Sequence, residues 1–321
     1  MSIKQTPGFL RLIFLGPVLA FAVMGKAMAS CGSAFCSINT QWDVQGVTAN
    51  AGTQFGLRYE SIHQDQLREG RDKISINDLP ASVEHAELET KNHNWLLSIN
   101  HAISEDWGVA VVIPYVDRTH EHIHDPTGAA EDESWDFTEL GDVRVTGKYK
   151  PTANKVGLRF GLKLPTGNYD IANADGEEAE RSLQPGSGTT DAILAVFYNN
   201  HSLKSPSSWF ADAQVQQPLN SRAGFKPGQH LTLDGGYHYA ASQKVGLMVQ
   251  LNALIKGKDK GANAEPEDSG GEFIFLSPGV SAVVTPSVQV FAFFQQPLYQ
   301  RVNGVQLTSD NSYVVGVNGR F

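Results

Sequence analysis

The chain of 321 residues has no interior run of 18 or more apolar residues, so a transmembrane helix is excluded. It has only two cysteines, which rules out a disulfide framework, and two thiols alone make a poor zinc site. Charged residues make up only 18 % and acids outnumber bases, with a formal net charge of −9, so nucleic acid is excluded as a partner. No glycine-rich phosphate loop, nucleophile elbow or helical metal motif occurs, which leaves no catalytic constellation to build on and no enzyme expected.

What is present begins at the N-terminus. Lys4 and Arg11 precede or enter an apolar core from Leu12 to Met24, and Ala27-Met28-Ala29 fits a small-residue cleavage site, so residues 1–29 read as a secretory signal. Without Lys4, Arg11 and Lys26, 22 basic residues face 34 acidic ones, a net charge of −12. Cys31 and Cys36 follow the cleavage site, and in an oxidising compartment a disulfide is their expected fate. Met28-Ala29-Ser30-Cys31 also loosely resembles a lipoprotein box, with Cys31 as the lipidated residue. Residues 30–52 then form an N-terminal segment that either lies in the periplasm or plugs a lumen.

From Thr53 onward, segments of about ten residues alternate apolar and polar side chains, the signature of transmembrane strands. In 155–164 the apolar face carries Val156, Leu158, Phe160, Leu162 and Leu164, and the polar face Lys155, Gly157, Arg159, Gly161 and Lys163. Strands are expected near 53–60, 93–103, 107–118, 139–150, 155–165, 188–199, 207–217, 229–240, 243–256, 271–284, 287–296 and 311–321. The connections then alternate short and long, with long ones at 61–92, 119–138, 166–187, 218–228, 257–270 and 297–310. A soluble sandwich has no reason to sort its loops this way. The predicted fold is therefore all-β: an antiparallel, up-and-down transmembrane barrel of about 12 strands over residues 53–321, with short periplasmic turns and long extracellular loops, in the outer membrane of a Gram-negative bacterium. Phe321 ends the last strand in phase with Tyr313, Val315 and Val317, a C-terminal pattern that barrel-assembly machinery commonly reads. Pro278 falls mid-strand and predicts a bulge.

A barrel of this size leaves a narrow lumen, so the expected function is a channel or transporter for small solutes. The strand phases turn Arg58, Arg144, Lys148, Arg159 and Lys163 inward as a basic wall, opposite Asp212, Gln214, Gln216, Asp234, His238, Gln250 and Asn252. These charges either create a transverse field that selects solutes or pair with one another. His120, His122 and His124 recur at period two on the inward face of the third strand. They are candidate ligands for copper or zinc, and the alternative function is a metal-binding or metal-transporting barrel. His63, His85 and His93 lie in or beside the preceding loop. An outer-membrane lipase would want a serine near an outward histidine, and His101 has no such neighbour.

Leu164-Pro165-Thr166-Gly167 at a strand end, with Gly186-Ser187-Gly188-Thr189-Thr190-Asp191 entering the next, resembles the outer-membrane proteins of the MetA pathway of phenol degradation. The resemblance implies a barrel related to hydrocarbon and fatty-acid channels, with aromatic or hydrophobic solutes as cargo. The motifs themselves read as architecture: Pro165 and Gly167 end one strand, and Gly186 and Gly188 open the next.

Overall fold

The computed structural model describes residues 27–28, 30–31, 37–40, 52–79, 83–124, 131–200 and 205–320. Within these, twelve antiparallel strands follow one another around a closed barrel: β1 (Gly52–Glu69), β2 (Val83–Ala102), β3 (Trp107–His124), β4 in two segments (Glu131–Leu140 and Arg144–Tyr149), β5 (Val156–Lys163), β6 (Asp191–Asn199), β7 (Ser207–Pro218), β8 (His230–Ala240), β9 (Val245–Lys256), β10 (Gly271–Thr285), β11 (Val288–Val302) and β12 (Val305–Arg320). β12 pairs with β1 from Val305↔Glu69 to Arg320↔Gln54, so the sheet has no open edge. A short 3-10 turn, Ile76–Asp78, is the one helical element among the described residues.

The period-two pattern sorts side chains as a membrane requires. On β5, Leu158 and Phe160 are 45 % and 44 % exposed, whereas Arg159 between them is 4 % exposed. Aromatic pairs mark both ends of the apolar band: Trp107–Tyr149 and Tyr198–Trp209 below, and Tyr59–Trp95 and Phe294–Tyr313 above. On β3 the girdles fall at Trp107 and Tyr115, and the residues from one to the other make up the roughly 9–11 that a tilted strand needs to cross the apolar band. Residues beyond Tyr115 on β3 therefore stand above the membrane.

Several strands are longer than the sequence pattern predicts, because the expected loops 61–92, 119–138 and 297–310 are largely strand. Above the outer girdle neither face meets lipid, so both faces are polar and the alternation that announces a strand disappears. The bulge expected at Pro278 is displaced: the register breaks between Ile274 and Phe275, opposite Pro297, while Pro278 stays paired with Val249.

Four interior phenylalanines lie over a glycine on the neighbouring strand at the register-paired position: Phe197 over Gly157, Phe210 over Gly236, Phe293 over Gly279 and Phe291 over Gly316. A Cβ on Gly236 would stand 2.2 Å from the Phe210 ring, so the glycine is what lets the ring lie flat on the wall.

Candidate functional site in the lumen and at its outer mouth

Three of the interior basic residues, Arg58, Arg159 and Lys163, are held in ion pairs. Arg159 on β5 reaches across β6 to Asp212 on β7 at 3.0 Å and to Gln214 at 3.2 Å. Lys163 binds Asp142 at 2.8 Å and Asp191 at 3.3 Å. Arg58 binds Glu60 at 2.6 Å. Arg144 and Lys148 are the register partners of Lys163 and Arg159, so β4 and β5 together carry the basic residues, as one wall. Opposite, Asp234 accepts from Asn252 at 2.8 Å, Asn252 accepts from Ser277 at 2.9 Å, and Gln216 donates to Asp191 at 2.6 Å. His238 lies against Gly246. Of the acidic partners, Glu60, Asp142 and Asp191 escape a sequence reading: the first shares the phase of Arg58, but the other two sit at strand ends where phase is undefined.

The N-terminal segment enters this network. Asn39 and Gln250 exchange two hydrogen bonds, backbone N to Oε1 at 3.1 Å and Nε2 to backbone O at 2.9 Å, while the Asn39 amide donates to Asp234 at 3.2 Å. Arg58 donates to the Ile38 carbonyl at 3.2 Å and to Thr40 at 2.6 Å. Ile38 is buried in a cluster with Ile62, Phe293 and Val314. Residues 37–40 thus lie against inward-facing side chains of β1, β8, β9, β11 and β12. Ser30–Cys31 pairs with Gln306–Leu307 near the outer end of β12. Cys36 and Phe321, like residues 1–26, lie outside the described residues.

The connection from β5 to β6 folds inward over the same bore. Leu183 and Ala179 are buried against Leu67, Val116, Trp135, Phe137 and Leu307. Arg118 donates to the Leu183 carbonyl and to Asn92, and Trp135 donates to the Glu177 carbonyl at 2.9 Å. Asp142 ties the loop's neck by accepting from Gly167 N at 3.1 Å, Ser187 N at 2.9 Å and Ser187 Oγ at 2.9 Å. Gly167 and Gly186 touch backbone to backbone, where a Cβ on Gly186 would lie 2.3 Å from the Gly167 carbonyl oxygen. The two glycine motifs noted in the sequence are thus the two sides of one loop neck.

Beside the ion pairs runs an aromatic wall. Phe273 and Phe275 stack at 6.3 Å with Leu254 and Val302, and Phe291 and Phe293 lie lower, against Met248 and Ile38. The sequence hides these rings because β10 and β11 are apolar on both faces in part, leaving no polar face by which to assign inside and outside.

Above the outer girdle the histidines assemble differently from the expected His120–His122–His124 row. His120 and His122 face inward and are buried, but His120 Nδ1 binds Thr90 Oγ1 at 2.8 Å. A bulge between Glu87 and Glu89 reverses the phase of β2 and turns His85 to the same face, where it is the register partner of His124. His122 in turn is paired with Glu133 on β4, and their side chains are hydrogen-bonded. His63 and His93 stay on the outer face, against Glu89 at 2.5 Å and the Tyr59 hydroxyl at 2.7 Å. His101 binds Thr53 at 3.0 Å near the periplasmic turn.

An acidic cluster lies at the mouth beside the histidines, reaching them at Glu87, the register partner of His122. Burial, with Glu87, Asp268 and Asp259 nearby, pushes the Glu265 carboxyl up to about 8, and burial together with Glu265 and Glu87 raises Glu180 well above the usual range.

Among solved structures, an outer membrane channel from Pseudomonas putida F1 superposes with a TM-score of 0.67 at 14 % identity, covering 88 % of this chain and 100 % of that one. The CymD monoaromatic hydrocarbon channel (TM-score 0.44, 9 % identity, 90 % of this chain and 94 % of that one) and the NanC porin (0.43, 11 %, 83 % and 100 %) are more distant. The first likeness shows the fold. No functionally curated protein matches the sequence. The family described as "Putative MetA-pathway of phenol degradation" matches residues 86–307, more than half of the chain, and this outer-membrane barrel belongs to that family.

Proposed function

We propose that the barrel is a gated passage for small solutes with an aromatic or other apolar face, and that it has no catalytic role. One observation carries the reading: a wall of paired phenylalanines, Phe273 and Phe275 stacked and Phe291 and Phe293 edge to face, runs beside a belt of ion-paired residues, beneath a mouth covered by the β5–β6 loop. Paired charges cancel the field that would select ions, while the rings offer a solute stacking partners along the bore. The phenol pathway in the family's description agrees with such a solute.

The lumen is packed. Arg159, Lys163, Asp212 and Asn252 are all at most 5 % exposed although they face the bore, so passage requires Ile38–Asn39 or the β5–β6 loop to withdraw. The test is uptake into liposomes of phenol-sized aromatics against sugars of similar size, with single-channel currents recorded in planar bilayers. Faster aromatic uptake with small or flickering currents supports the reading; equal uptake of both solutes defeats it.

On sequence grounds we also assign residues 1–29 as a cleaved secretion signal, Cys31–Cys36 as a disulfide and the strand ending at Phe321 as the contact for the barrel-assembly machinery, while the lumenal contacts of Ile38 and Asn39 favour the plug reading of residues 30–52.

A further inference from the structure

Among the described residues, His85, His122 and Glu133 bring one ligand atom each to within 4.8 Å of one another. They come from three adjacent strands, β2, β3 and β4, and stand above the outer aromatic girdle, where ions from the medium reach them. His124 joins from β3, its Nδ1 3.2 Å from His85 Nδ1. Two imidazole nitrogens facing each other at that distance need a shared proton or a shared cation between them. The buried nitrogens His122 Nδ1 and His120 Nε2 have no hydrogen-bond partner, and their rings line the same pocket, 5.7 Å apart. Leaving a buried polar atom without a partner is costly, and two such atoms belong to rings of this cluster.

We propose that this cluster is a binding site for a first-row transition-metal dication, with His85, His122 and Glu133 as ligands and His124 as the fourth. Imidazole and carboxylate together suit Cu²⁺ and Zn²⁺, whereas Ca²⁺ and Mg²⁺ want oxygen alone. Metal–nitrogen bonds of about 2.0–2.1 Å need the donor atoms of His85, His122 and Glu133 drawn inward by only about an ångström, which side-chain rotation supplies. The four donors lie on three strands locked in register, so the site is set by the barrel wall and involves none of the ion pairs in the bore. Its neighbour Trp135, 4.7 Å from His122, also holds Glu177 of the inward loop, so a bound ion would brace the mouth where that loop is anchored.

The test uses the untagged barrel refolded in detergent, with its thiols blocked, titrated with CuSO₄ and with ZnCl₂ by calorimetry and by tryptophan fluorescence. One equivalent should bind, Cu²⁺ more tightly than Zn²⁺, and Cu²⁺ should quench Trp135 emission, a loss absent in Trp135→Phe. His85→Ala and Glu133→Gln should each weaken Cu²⁺ by about tenfold or more. His101→Ala, at the opposite rim, should leave the titration unchanged. Glu133→Gln alters a partly exposed carboxylate without emptying volume, so its effect cannot be put down to misfolding. No saturable binding, or binding that persists in the His85→Ala/Glu133→Gln double variant, overturns the proposal.

Discussion

Arg159 and Asp212 meet at 3.0 Å across an intervening strand, over Ala195, the register partner of Arg159 on β6. The span works because Ala195 is too small to block it, and both charges are almost fully buried. Removing one partner leaves the other without compensation in a site it cannot leave. Asp212→Ala should therefore cost about 3–5 kcal/mol in reversible urea unfolding from lipid vesicles, while the double replacement Arg159→Met/Asp212→Leu should cost much less. A single variant as stable as the wild type would show that water reaches Arg159 in the resting barrel.

Ile38 and Asn39 are held by contacts that the barrel wall can lose without losing strand pairing. Ile38→Asp places a charge among Ile62, Phe293 and Val314, and Asn39→Ala removes a donor to Asp234. The double variant should expel the segment and raise mean single-channel conductance severalfold, with the unfolding midpoint of the barrel little changed. Unaltered currents would place the principal barrier at the β5–β6 loop.

The neck of that loop depends on one carboxylate. Asp142 holds Gly167, Ser187 and Lys163 together. Asp142→Ala should destabilise by about 2–4 kcal/mol and should expose Arg181, inside the loop, to trypsin. Cleavage at Arg181 in the variant and not in the wild type, read by mass spectrometry, checks this; equal resistance in both would place the loop's stability in the Leu183 cluster instead.

How much of this was readable in advance follows from where lipid touches the chain. β5 and β9 meet lipid on one face and the polar bore on the other, so their alternation gives both their existence and their inward residues, Arg159 and Gln250 among them. β2 and β3 rise past the membrane, and there the pattern lapses: His120 and His122 carry a legible phase only because β3 runs on without a break. His85 lies beyond a bulge, and Glu133 is matched to His122 only by strand register. Neither a bulge nor a register leaves a mark in a polar stretch. The glycine motifs were legible as strand ends but not as one neck, since that depends on Gly167 and Gly186 meeting across 19 residues.

The acids at the mouth give the barrel a pH response of definite sign. Glu265 has a carboxyl pushed up to about 8 by burial and by Glu87, Asp268 and Asp259, and Glu180 is raised beside it, against 4.5 for the same groups in solvent. Between about pH 4.5 and pH 8 the packed mouth binds more protons than the opened one. Its stability is therefore full below that window and falls as pH rises through it. Raising pH from 5 to 9 should loosen the two loops, increasing channel activity and the hydrogen exchange of residues 257–270. Glu180→Gln/Glu265→Gln should remain closed at pH 9, because an amide keeps the shape of the protonated acid and has no proton to lose. If the wild-type mouth instead tightened with rising pH, these carboxylates would have to be ionised and paired with a cation in the closed state, and the buried protons assigned to them would be wrong.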